Sequence, residues 1–162
     1  MSPTELLGLL QDFYRETAEL VLQRQDRARS VAAYDANNAY QQILGRQDTH
    51  LSWLSDAIVD LGGVPPAAPA GGGAARTGKA ELGSVVEVDA RSQHLFLSRW
   101  TPRVQTVTNA RHRKLLELIL GEMAEHFRML TQVLEGRSDV LGRHADGKVP
   151  RGEVLPDRPG QA

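Results

Sequence analysis

Two histidines, His50 and His126, stand 76 residues apart inside two copies of one short pattern. "ILGRQDTHLSWL" fills residues 43–54 and "ILGEMAEHFRML" fills residues 119–130, so Ile, Leu, Gly, His and Leu recur at matching offsets. Glu122 lies four residues before His126, which puts both on one helical face within reach of one ion. Glu125 and Asp48 are close to a histidine in sequence but point around the helix. The other reading, which the residues favour, makes both histidines core groups whose ring nitrogens find Gln47, a hydroxyl or a backbone carbonyl. Arg46 and Glu122 occupy equivalent repeat positions, so they either pair across a pseudo-axis or both reach out to solvent.

The elements that carry these residues are helical. Apolar residues recur at helical spacing, aromatics are scarce and β-branched runs are short. Ser2, Pro3 and Glu5 form a capping box with proline at the first helical position. Leu6, Leu9, Leu10, Phe13, Leu20 and Val21 then make one stripe on a first helix over about 3–28. A second helix runs over 31–61 with Tyr40, Ile43, Leu44, Leu51, Leu54, Ile58 and Leu61 on its apolar face. "GGVPP" stops it. Residues 62–80 read as a Gly/Ala/Pro crossover linker. A third helix is expected over 82–100, despite the strand-like "SVVEV". Thr101-Pro102 either breaks it or starts the fourth helix, expected over 102–136. Residues 137–162 lack periodicity and read as a disordered tail. The expected fold is all-α: an antiparallel four-helix bundle of two helical hairpins spanning 1–136, with the 43–54/119–130 repeat marking a duplicated hairpin.

The stretch "HLSWLSDAIVDLGGVP", with a histidine in helix two and a matching one in helix four, resembles the ferritin-like superfamily, bacterioferritins and rubrerythrins above all. The resemblance covers about residues 3–136. It implies a bundle with a pseudo-twofold axis and, in functional members, two metal ions held by Glu-x-x-His on helices two and four plus one Glu each from helices one and three. His50 and His126 match the two family histidines. The carboxylates do not match: Gln47 and Met123 stand three residues before them, and the facing levels on helices one and three fall near Tyr14 and Ala90, with Glu16 and Asp89 close by. Two hard ions need charge that a neutral amide and a soft thioether do not provide. A normal di-metal centre is therefore not expected, nor are other cofactors. The alternative is a metal protein of iron oxidation or storage type, binding iron, manganese or zinc at an altered site around His50, His126 and Glu122. If the chain is an enzyme, that alternative makes it a metal-dependent oxidoreductase of ferroxidase type.

Bulk properties narrow the rest. The chain has 162 residues, 41% hydrophobic and 24% charged, with a net charge of −1. That balance argues against nucleic-acid or membrane-surface binding through bulk charge. Without cysteine there is no disulfide, thiolate metal site or cysteine nucleophile. The opening "MSPTELLGLLQDF" lacks a basic segment followed by an apolar run, so no signal peptide is read there, and a cytoplasmic location is expected. The basic cluster at Arg111, His112, Arg113 and Lys114 has no interleaved aromatics and reads as a solvated face. "GGGAARTGK" lacks phosphate-loop spacing. The expectation is a ferritin-like bundle acting through assembly or protein contact, as a homo-oligomer or with a protein partner.

Overall fold

In the computed structural model, which describes residues 1–70 and 82–137, the chain forms helices α1 (Pro3–Ala28), α2 (Tyr34–Asp60), α3 (Leu82–Gln105) and α4 (Ala110–Leu134). The stop and start signals act as the sequence implies. Ser2 accepts from the Glu5 amide while Glu5 accepts from the Ser2 amide, closing the capping box on α1. α2 ends in paired backbone bonds from Gly62 to Val59 and from Gly63 to Ile58, with Gly62 at φ +78°. α4 ends in the same way through Gly136, also at φ +78°, and Arg137. Glycine adopts this left-handed conformation without steric cost. The expected boundaries need two corrections. Residues 31–33 are connection rather than helix, because Val31 buries its side chain at the turn and its carbonyl accepts from the Asn37 amide group. Pro102 lies inside α3, neither breaking it nor opening α4. Trp100 and Val104 are both fully buried on either side of it, so packing keeps the last turn helical despite the missing donor. The fourth helix starts at Ala110 instead, with Asn109 capping it through the His112 amide.

Tight packing joins α1 to α2 and α3 to α4, the two hairpins, while α2 meets α4 and α1 meets α3 across the bundle. Contacts such as Phe13 with Trp100 and Arg27 with Asp89 make α1 and α3 antiparallel. α2 and α3 must then run parallel, so the connection between them returns along the length of the bundle. Of that linker, residues 62–70 are described, and Gln11 donates to the Val64 carbonyl there. The remainder of the linker and the tail from 138 onward, both expected to be poorly ordered, lie outside the described residues.

The 76-residue offset pairs many of the buried positions. Ile43 and Ile119, Leu44 and Leu120, Gln47 and Met123, His50 and His126, and Leu54 and Leu130 are all buried, while Gly45 and Gly121 are both exposed. The rule extends to α1 and α3: Leu10 and Val86, Phe13 and Asp89, Thr17 and Gln93, Leu20 and Phe96, Arg24 and Trp100 are buried pairs. At one end of the bundle Trp100 packs edge-on against Phe13 at 4.7 Å between ring centres, with its indole N–H donating to Glu16. Truncation of Trp100 to alanine is expected to cost ~3–5 kcal/mol of unfolding free energy. Urea denaturation followed by helical circular dichroism checks it, and a loss below 1 kcal/mol, within the ~0.5 kcal/mol range of surface changes or little above it, would contradict this packing.

Candidate functional site

The polar interior begins with an arginine on an apolar stripe. Phe13, Thr17, Leu20 and Arg24 follow one another at spacings of four, three and four along α1, so Arg24 must enter the bundle. It is fully buried. Its guanidinium donates to the Gln47 side-chain oxygen of α2 at 2.8 Å and to the Gln93 side-chain oxygen of α3 at 2.9 Å. Its Nε lies 3.9 Å from a carboxylate oxygen of Asp89, which is also fully buried. Asp89 accepts from Arg27 Nε at 2.8 Å and from the Tyr40 hydroxyl at 2.6 Å. Burial pushes the Arg24 guanidinium pKa down and the neighbouring carboxylate opposes this. Burial beside the Asp89 carboxylate pushes the Tyr40 phenol up, so it stays protonated and donates.

One turn along α2 from Gln47, His50 faces α4. The rings of His50 and His126 stack with centres 6.0 Å apart and planes inclined by 25°. His50 Nε2 lies 2.5 Å from Glu122 Oε2, and Arg46 grips the same carboxylate through Nε and a terminal nitrogen, both at 2.6 Å. Arg46 and Glu122 are equivalent by the repeat and touch directly, so the pseudo-axis passes between them and neither is free in solvent. Arg46's two hydrogen bonds hold the Glu122 carboxyl down at about 2. That carboxylate is ionised at neutral pH, so the hydrogen between it and His50 belongs to Nε2. Desolvation lowers the His50 pKa, and the Glu122 contact opposes it. His126 is pushed further, down to about 4, by desolvation and then by the positive Arg24 and by His50. Both rings are neutral at pH 7.

The structure therefore brings His50, His126 and Glu122 together. It does not join Gln47 to His50: the amide oxygen expected to accept from the imidazole accepts from Arg24 instead, because a buried guanidinium is the stronger donor. Glu16, considered as a helix-one carboxylate, turns outward to Trp100 and Arg99. Asp89, its counterpart on helix three, is committed to Arg27 and Tyr40. The buried polar side chains of α1 and α3 nearest the expected levels are Thr17 and Gln93, three residues beyond Tyr14 and Ala90. The donors around the axis are thus a hydroxyl, two amides, a thioether, two imidazoles and one carboxylate, Glu122, already held by Arg46, with the fixed cation Arg24 among them. Such a set does not fit a pair of hard divalent ions. Among the described residues no three His, Asp or Glu side chains are arranged to hold a metal ion. Arg24, Thr17 and Gln93 were not singled out by the sequence reading. The signals that point to them are the arginine on an apolar stripe and the histidine offset of 76 applied to the other two helices.

The histidine pair makes native stability depend on pH. A His126 pKa lowered from its ordinary value to about 4 means that the unfolded chain takes up the proton first on acidification. The contribution is complete above the unfolded pKa near ~6.5 and is lost as pH falls from there to about 4. Its full size is of order 3 kcal/mol. Urea midpoints measured between pH 7 and pH 5 should fall, and His126→Gln should flatten that slope; an unchanged slope would remove His126 from the account.

No protein-family model matches the chain, and no curated protein matches it. A solved structure described as a ferritin-like, diiron-carboxylate protein from Bacillus anthracis str. Ames is similar to it, with a TM-score of 0.65 at 20% sequence identity. The match covers 83% of this chain and 99% of that one. Four helices in two closely packed hairpins, related by a 76-residue offset, together with this neighbour, give the chain the ferritin-like four-helix fold.

Proposed function

We propose that this protein is a ferritin-like bundle that works through assembly or protein contact and not through di-metal redox chemistry. The observation that carries the reading is Arg24, a protein cation seated between Gln47 and Gln93 where the resemblance would place carboxylates and metal. A guanidinium at that place repels divalent ions, and the surrounding amides supply no charge to hold them. The surface supports a contact role. Val59 on α2 is 57% exposed, and Leu118 on α4, 51% exposed, lines a cleft of about 330 Å³ with Trp53, Asp56, Arg111 and Leu115 among others. On α3, Leu95 is 58% exposed. No helix among the described residues is long and apolar enough to cross a membrane.

The competing reading places iron, manganese or zinc at an altered site of His50, His126 and Glu122. It draws on the stacked imidazoles, whose buried Nδ1 atoms have no hydrogen-bond partner. Elemental analysis of protein purified from metal-supplemented medium separates the two. The expected result is sub-stoichiometric metal that is unchanged when both histidines are replaced by glutamine. Stoichiometric metal that disappears in that double variant would install the altered site instead. Light scattering is expected to return a multiple of the 17.8 kDa chain mass, reduced by Leu118→Glu or Leu95→Glu. A monomer that is indifferent to both substitutions and retains no partner would remove the assembly reading.

A further inference from the structure

The polar layer holds more hydrogen-bond donors than the protein satisfies. Gln47 Nε2, Gln93 Nε2, Arg24 Nε and Thr17 Oγ1 are all buried without a partner, on side chains with no exposed surface. Folded interiors pair nearly all such groups with protein, water or an ion, so several in one layer call for a common explanation. Gln47 and Gln93 present their oxygens to two nitrogens of one guanidinium, which keeps their amide nitrogens beside it. The unsatisfied groups from α1, α2 and α3 thus surround a positive centre.

The charges do not cancel. On α1, Arg24 and Arg27 share the single carboxylate of Asp89 from α3. On α2 and α4, Arg46 and Glu122 neutralise each other, and His50 and His126 are neutral. Arg27 is 24% exposed and shares its charge with water. The fully buried Arg24 has its carboxylate only at 3.9 Å, already bonded by Arg27 and Tyr40. A cation so weakly paired in a desolvated interior is strongly unfavourable. Water would satisfy the amide N–H groups and leave that charge standing. An anion does both. Asp89 occupies the Nε side of Arg24, with its oxygens engaged by Arg27 and Tyr40. The amides flank the terminal nitrogens, away from that carboxylate.

We propose that this layer is a binding site for a small monovalent anion, held between the terminal nitrogens of Arg24 and the side-chain amides of Gln47 and Gln93. The proposal rests on the non-metal reading of the core. The donors span one guanidinium edge, so a halide is the ion to test.

Crystals of the full chain grown in sodium bromide, with data collected at the bromine edge, test it. The expected result is an anomalous peak within hydrogen-bonding distance of the Gln47 and Gln93 amide nitrogens. Gln93→Glu should abolish the peak, because its carboxylate pairs with Arg24 in place of the ion. In solution, replacing gluconate by chloride at constant ionic strength should raise the melting temperature of the native chain and leave that of Gln93→Glu unmoved. An absent peak, water alone in the layer, or a native melting temperature indifferent to chloride overturns the proposal and leaves the proposed function standing. Iron, manganese or zinc scattering from the layer overturns both.

Discussion

A buried guanidinium constrains everything around it. Removing an arginine from water is so costly that the closed bundle must supply it with partners. Arg24 obtains them from two other helices: an amide from α2, an amide and a carboxylate from α3. Those demands propagate outward. Asp89 has to be buried to face Arg24, and Tyr40 and Arg27 then complete its coordination. Gln47 is occupied, so His50 turns to Glu122, whose own charge is balanced by Arg46. The order of polar contacts across the core follows from one side chain.

The same side chain breaks the pseudo-twofold symmetry. The offset of 76 maps Phe13 onto Asp89 and Arg24 onto Trp100. The Phe13–Trp100 contact at one end therefore has its counterpart in the Asp89–Arg24 contact at the other. One end is stabilised by packed aromatic area and the other by a charge pair inside a ring of hydrogen bonds. Apolar residues on both sides keep the two ends equally dry. The aromatic end tolerates imprecise geometry because dispersion and burial are not directional. The charged end does not, because each unsatisfied group there carries its full desolvation cost.

How far the sequence could be read follows from this difference. Periodicity and caps specify amphipathic helices, so the bundle, its hairpins and the repeat were legible from Ser2, Gly62, Gly136 and the two Ile-Leu-Gly-x4-His stretches. Pro102 misled because a local rule about backbone donors was overridden by the burial of Trp100 and Val104, which only the tertiary fold reveals. The histidine pair was legible through the repeat, and the absence of carboxylates at Gln47 and Met123 through the pattern of the family that the sequence resembles. The buried Arg24 between Gln47 and Gln93 was not, since an arginine in a helix normally keeps its head in water. Nothing local distinguishes Arg24 from Arg27, whose side chain stays 24% exposed. Only the stripe shared with Phe13, Thr17 and Leu20 does, and that signal gains force once α2 and α3 are known to supply partners.

A cation that is part of the chain changes what the bundle can respond to. Where a core charge is a bound metal, folding free energy is linked to metal concentration by mass action, and loss of the ion loosens the helices. Arg24 cannot dissociate, so that linkage is absent for the positive charge itself. On the non-metal reading the helices around it need no ion to hold their arrangement, and the outward faces that carry Val59, Leu95 and Leu118 are held with them. A surface presented at fixed geometry loses little conformational freedom on docking, which is the property that favours tight, specific contact. On the assembly reading proposed above, a guanidinium seated in the core leaves the outward helix faces as the place where this bundle meets its partners.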